Sequence, residues 1–188
     1  MTVKASGSAI INQLDSTEKR WFAVNTKFKC EKYVAQALEK KQIQVYLPLI
    51  SRIKRYTRKV RSYKVPLINC YIFVHIDKSQ YVPVLETEYV FRFLKQGKDL
   101  ISIPEYEIEL LKRVTGDIED IELLNPEHLM QGDSVEVVSG HLTGLQGKIV
   151  EKAGKKSFVV DLETIGYQLR IRIDQSLLRP LNPRLKTA

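Results

Sequence analysis

The chain has 188 residues, 44% apolar and 28% charged, with a formal net charge of +8. That is room for one large or two small globular domains, and it excludes a disordered or fibrous chain. No run approaches the roughly 18 consecutive apolar residues of a membrane span, and the opening residues, with one lysine and the short patch Ala9-Ile10-Ile11, do not read as a signal peptide.

Residues 1–17 are expected to form a flexible tail. Trp21-Phe22-Ala23-Val24 reads as a buried first strand. From Phe28 to Lys41 the period changes: Cys30, Val34, Ala37 and Leu38 share one helical face, and Lys29, Glu31, Lys32, Gln36 and Lys40 decorate the other. Ile43–Leu47 is a short strand ended by Pro48. Arg52 to Lys64 then carries 7 basic residues, no acid, and Tyr56 and Tyr63 between them. A stretch of this kind between strand-like segments predicts an extended basic hairpin. Residues 18–66 together hold 14 Lys or Arg against 3 acids, whereas residues 77–130 hold 6 against 12. So focused a cation implies contact with a polyanion.

Pro66 precedes Leu67 to Ile76, a nearly continuous apolar run that predicts a central strand. Its alternation sets Tyr71, Phe73 and His75 on one side and Cys70, Ile72, Val74 and Ile76 on the other. If the first of these sides is left partly uncovered, it forms an apolar groove for a partner. Asp77 to Glu86 predicts a short helix confined or bent by Pro83, and Val90 to Leu94 a further strand. Pro104 opens a helix with Glu105 and Glu107 in its first turn and Lys112 and Arg113 in its last. An α+β domain over 18–115 results, followed by an acidic linker over 116–130.

Residues 131–182 predict a small β-barrel, with a tail over 183–188. Val135 and Val137, then Phe158, Val160 and Leu162, then Leu169, Ile171 and Ile173 keep period-two spacing. Gly140, Gly144 and Gly147 mark turns or close backbone approach.

Enzyme chemistry finds no motif: there is no GxSxG elbow, P-loop or dinucleotide fingerprint, and His75, His128 and His141 lack metal-ligand spacing. Cys30 and Cys70, without CxxC or a neighbouring His, read as free thiols. No cofactor or metal is expected. The basic hairpin suits phosphate neutralisation, with its tyrosines either stacking on unpaired bases or packing the hairpin itself.

These pieces resemble the NusG/RfaH family of transcription elongation factors over roughly residues 19–182. Lys19-Arg20-Trp21-Phe22 with the following helix is similar to the opening of the family's N-terminal (NGN) domain. Pro66-Leu67-Ile68-Asn69-Cys70-Tyr71-Ile72-Phe73-Val74 resembles its P-L-F-P-G-Y-x-F-V strand, with Asn69-Cys70 in place of Pro-Gly. Ile103-Pro104 with Glu107-Ile108 resembles the I-P-x-x-E-I helix start, and Gln131–Val137 through Gly147–Val150 resembles a KOW motif.

The resemblance implies an NGN-type α/β sandwich joined to an SH3-like KOW barrel, in a cytoplasmic, monomeric, non-enzymatic factor. It implies a groove for the RNA polymerase clamp made by Ile68, Tyr71 and Phe73 with Trp21 and Tyr33. It places Arg52, Lys54, Arg55, Arg58, Lys59 and Arg61 near upstream or non-template DNA. Leu142 and Leu145 would face a small-subunit ribosomal protein or Rho. The dense hairpin charge, the altered Pro-Gly and Leu142 lean towards a specialised antiterminator of the UpxY type. The alternatives are a general NusG and a KOW-containing RNA- or ribosome-binding protein.

Overall fold

The computed structural model describes residues 12–56, 59–117, 121–124, 133–140, 142–152 and 155–181. In chain order they form β1 (Arg20–Thr26), α1 (Glu31–Lys40), β2 (Gln44–Tyr46), β3 (Leu49–Tyr56), β4 (Lys59–Pro66), β5 (Tyr71–Ile76), α2 (Tyr81–Leu85), β6 (Val90–Phe93), β7 (Lys95–Gln96), β8 (Asp99–Leu100), α3 (Glu105–Asp117), β9 (Ile121–Leu124), β10 (Asp133–Val137), β11 (Gln146–Lys152), β12 (Lys155–Leu162), β13 (Tyr167–Ile171) and β14 (Leu178–Pro180). Two compact units divide the chain: Met1–Leu47 with Asn69–Pro104, and Pro48–Ile68 with Glu105–Ala188.

The first unit is a four-stranded antiparallel sheet, ordered β2-β5-β1-β6, with helices on one face. Register sets Phe22 opposite Val74 and Val24 opposite Ile72. These residues, with Ile76 and Phe93, share an apolar core with Val34 and Leu38 of α1 and Val84 of α2. Burial of so many aliphatic side chains, each contributing about 1.5–3 kcal/mol, holds α1 to the sheet. The expected apolar face of α1 is present, but Glu31, expected on the wet side, is 2% exposed. Its carboxylate accepts the Cys70 backbone N–H at 2.8 Å.

The central strand begins later than the apolar run suggests. Cys70 takes φ +63°, a left-handed conformation no strand continues through, so Leu67 and Ile68 are buried outside β5. Pro83 is accommodated in the first turn of α2, which follows a 3-10 turn over Lys78–Gln80 capped by the Asp77 carboxylate.

Residues 12–17, expected within a flexible tail, are held down. The Gln13 N–H donates to the Leu100 carbonyl at 3.1 Å, the Ser102 N–H and hydroxyl donate to Gln13 Oε1, and Leu14 packs on the core. The Asp15 carboxylate accepts the N–H groups of Glu18 and Thr17 and the Thr17 hydroxyl. Those donors, the Glu18 N–H foremost, hold its pKa down to about 2, from an ordinary 3.8. A depressed carboxylate stabilises the fold above its unfolded pKa, and the contribution disappears as pH falls through the folded value. An NMR titration should therefore show Asp15 protonating near pH 2, and Asp15→Asn should abolish the matching shift of the Thr17 amide.

In the second unit, β3 and β4 form a two-stranded ribbon. α3 runs on to Asp117, so Lys112 and Arg113 lie inside it and its last turn has no base. The barrel strands form a six-stranded antiparallel sheet ordered β14-β10-β11-β12-β13-β9. β9 falls in the stretch expected as linker; its register sets Ile121 opposite Ile171 and Leu123 opposite Leu169. Val135, Val137, Val150, Phe158, Val160, Leu162, Leu169 and Ile171 are buried as alternation predicts, and Val159 and Gln168 on the alternate positions are buried as well. Gly140 and Gly144 take φ +86° and +81°, while Gly147 is needed for space: a Cβ there would lie 2.5 Å from the Val159 carbonyl oxygen.

Candidate polymerase and nucleic-acid interfaces

Alternation in β1 and β5 gives the sheet a second face carrying Trp21, Ala23, Tyr71, Phe73 and His75. Trp21 stacks on His75, centroids 4.9 Å apart, and Tyr46 of β2 stacks on Phe73 at 6.2 Å. The His75 ring, at Nδ1, lies 3.0 Å from Gln44 Oε1. Trp21, Ala23 and Phe73 are buried, whereas Tyr71, Tyr46 and His75 are half-buried. The surface this face offers is therefore made by Tyr71, Tyr46 and His75. Ile68 is fully buried in the turn after β4.

Tyr33 is not on this face. It projects from α1, which packs on the opposite side of the sheet, and its ring meets Tyr89 edge-on at 5.3 Å. Its hydroxyl donates to Glu88 at 3.0 Å, and the Glu88 carboxylate raises the pKa of both phenols. Around this pair gather features that the sequence did not disclose. Lys29, Cys70 and Tyr89 all take left-handed backbone conformations, pinned by Lys27 N–H to the Tyr89 carbonyl and Thr26 N–H to the Cys70 carbonyl. Lys27 lies over the Tyr89 ring and Lys29 over the Phe28 ring. Phe28, Tyr33 and Phe91 are exposed. Three non-glycine residues at positive φ are costly, by roughly 1–2 kcal/mol each, and strain so concentrated points to a functional edge. The signal available in sequence was the bare run Lys27-Phe28-Lys29, an aromatic flanked by cations.

The β3–β4 ribbon sets Arg52 opposite Tyr63 and Lys54 opposite Arg61. Arg52, Lys54, Lys59, Arg61 and Tyr63 are all exposed. Residues of a directly opposed pair point to the same side, as do alternate residues along each strand. These five consequently share one side, and Ser51, Ile53, Val60, Ser62 and Lys64 share the other. Arg55 is placed by register opposite Val60, which assigns it to that second side; Arg58 lies outside the described residues.

In the barrel, Leu142 is buried and Leu145 half-buried. Leu145 lines a groove of about 610 Å³ with Tyr106, Leu110 and Arg113 of α3 and Lys148 and Val160 of the barrel. Two polar ties join these parts of the second unit. The Arg113 guanidinium donates to the Thr143 carbonyl at 2.8 Å. Glu107, fully buried, accepts the Thr164 N–H at 3.0 Å and its hydroxyl at 2.8 Å. Among the described residues no cluster of His, Cys, Asp and Glu could hold a metal, and no helix is long and apolar enough to cross a membrane.

The family model for NusG, described as transcription termination factor nusG, matches residues 19–112. Among solved structures, the chain is similar to Thermotoga maritima NusG, from a study of domain interaction in that protein. Identity is 20%, the match covers 88% of this chain and 98% of that one, and the TM-score is 0.52. Chains of the MjSpt4:Spt5 complex in conformations B and A match at 20% and 19% identity, over 87% of this chain and 97% and 99% of theirs, with TM-scores of 0.31. No curated protein matches in sequence.

Proposed function

The chain belongs to the NusG family of transcription factors, and from that premise we propose that it binds elongating RNA polymerase, suppresses pausing and raises processivity, as an operon-specific antiterminator. The observation that carries the reading is the coincidence of the family match with the strongest cation in the chain: residues 19–112 contain the whole exposed basic ribbon.

In this reading the half-buried Tyr71 contacts the polymerase clamp, on a bed made rigid by the Trp21–His75 and Tyr46–Phe73 stacks. Trp21 and Phe73 support that surface from beneath rather than touching the partner, since their side chains are buried, and the equally buried Ile68 offers no contact of its own. The basic ribbon lies along upstream or non-template DNA, where cations release counterions and exposed rings meet unpaired bases. Leu145 offers the barrel's apolar contact to a ribosomal protein or Rho.

Pull-down of core polymerase by the full chain tests the reading. Tyr71→Ala, at a half-exposed position, should keep the fold and weaken capture at least tenfold, since aromatic anchors dominate interfaces of this kind. Undiminished capture by the folded variant would remove this face from the interface. Genome-wide occupancy tests operon specificity: enrichment confined to one long operon is expected, and coverage of most transcribed genes would make the protein a general factor.

A further inference from the structure

The geometry points to one side of the β3–β4 ribbon, and not the other, as a binding surface for single-stranded nucleic acid. This rests on the nucleic-acid role proposed above for the ribbon and specifies which strand form it takes and with which residues. Arg52, Lys54, Lys59 and Arg61 occupy that side with Tyr63, and every one of them is exposed. Successive members on a strand are about 6.8 Å apart, two residues of extended chain, so the cations form two parallel rows that can track a sugar-phosphate backbone.

Tyr63 decides between a single strand and a duplex. Its ring is 46% exposed, with Arg52 directly across the ribbon and Arg61 two residues before it. In a duplex the faces of the bases are covered by their neighbours. In a single strand they are open to stacking on an aromatic ring, with a flanking guanidinium adding a cation–π contribution.

This side carries no carboxylate and no amide among the described residues, so it lacks the groups that read adenine and cytosine edges. Recognition there is mainly through charge and stacking, with guanine the one base edge its arginines suit. The reverse side has Ile53 and Val60, 61% and 64% exposed, between serines, with Lys64 at the ribbon's base and Arg55 assigned to it by register. Two cations separated by an apolar pair match a phosphate backbone less well than the four, with a tyrosine, on the first side.

Fluorescence anisotropy with the full chain tests this, using labelled dT20, rU20 and a 20-bp duplex at about 0.15 M salt, where the Debye length is about 8 Å. A single strand should bind at least tenfold more tightly than the duplex. Preference for rU20 would assign the transcript as the natural source, and preference for dT20 the displaced DNA strand.

Arg61→Gln and Lys64→Gln remove the same charge from opposite sides. The first should weaken binding several-fold and flatten the salt dependence by about 0.7 in log–log slope, and the second should stay within twofold of the parent. Tyr63→Ala should lose roughly tenfold on the single strand and nothing on the duplex. Equal affinity for duplex, or equal losses for Arg61→Gln and Lys64→Gln, would overturn the assignment.

Polymerase capture by the same preparations separates the two readings. Captured polymerase without strand preference defeats only this inference, and strand preference without polymerase capture defeats only the proposed function.

Discussion

Gly147→Ala is expected to destabilise the barrel by about 3 kcal/mol, the upper end of the range for overpacking a filled core. The argument is steric and local. A Cβ on Gly147 would stand 2.5 Å from the Val159 carbonyl oxygen and 2.7 Å from Cε2 of Phe158. The first of these atoms is backbone in the neighbouring strand, paired to β11 through Lys148–Val159 and Ile149–Phe158. The second belongs to a ring that is 1% exposed. Neither can move without displacing β12 or emptying the core beneath it.

Gly144→Ala provides the contrast. A Cβ there meets nothing within 4 Å, but φ is +81°, so the cost is only that of a left-handed alanine, about 1–2 kcal/mol. Urea unfolding followed through barrel amides such as Val137 and Val160 should rank parent, Gly144→Ala and Gly147→Ala in that order. A Gly147→Ala protein as stable as the parent would mean that the close approach of β11 and β12 is relieved in solution.

The sequence made these glycines visible as interruptions in period-two strands, but it could not separate the two reasons for them. Positive φ and steric proximity leave the same letter. Where one strand face is apolar, alternation alone recovered the arrangement: Tyr71, Phe73 and His75 do lie together, opposite Ile72, Val74 and Ile76. Burial of Trp21 was legible in its apolar strand, but not which residues of β5 stay open, because cover over Phe73 and not over Tyr71 depends on the whole fold. The basic ribbon was readable as a hairpin from composition, while its division into two unlike sides needed the register. A shift of one residue would have redistributed every cation.

Ile121–Leu124 was hidden for a different reason: four residues are too few to establish a period among acidic neighbours. Tyr33 stands on the exposed side of α1, and its surroundings were not legible because its partners, Glu88 and Tyr89, come from a turn more than fifty residues away.

Glu31→Ala should cost about 1–3 kcal/mol, the price of leaving a buried N–H without its acceptor, and the loss should fall on the segment that presents Tyr71. Glu31 opens α1 and is 2% exposed, and its Oε1 accepts the Cys70 N–H at 2.8 Å. The Cys70 carbonyl meanwhile accepts the Thr26 N–H at 2.8 Å and the Asn25 side-chain amide at 3.2 Å. Cys70 is thus held through both its N–H and its carbonyl in a conformation, φ +63°, that costs an L-residue about 1–2 kcal/mol. Tyr71 follows it directly, so the direction in which the β5 face starts is set by this clamp.

Position 70 is where the resembling family motif has glycine, for which the same φ carries no such cost. Cys70→Gly should accordingly stabilise the protein by about 1 kcal/mol after the entropy of the unfolded glycine is allowed for. Introduced into Glu31→Ala, it should recover part of the loss, because a glycine needs less holding. Glu31→Gln keeps a carbonyl acceptor and should lie between the parent and Glu31→Ala. A double-mutant cycle in urea measures the coupling, with polymerase capture as the second readout. If strain at Cys70 is what Glu31 restrains, the two substitutions are non-additive, and Cys70→Gly restores capture to Glu31→Ala along with stability. Strict additivity would show that Glu31 acts on α1 alone and that the approach to Tyr71 is fixed by other contacts.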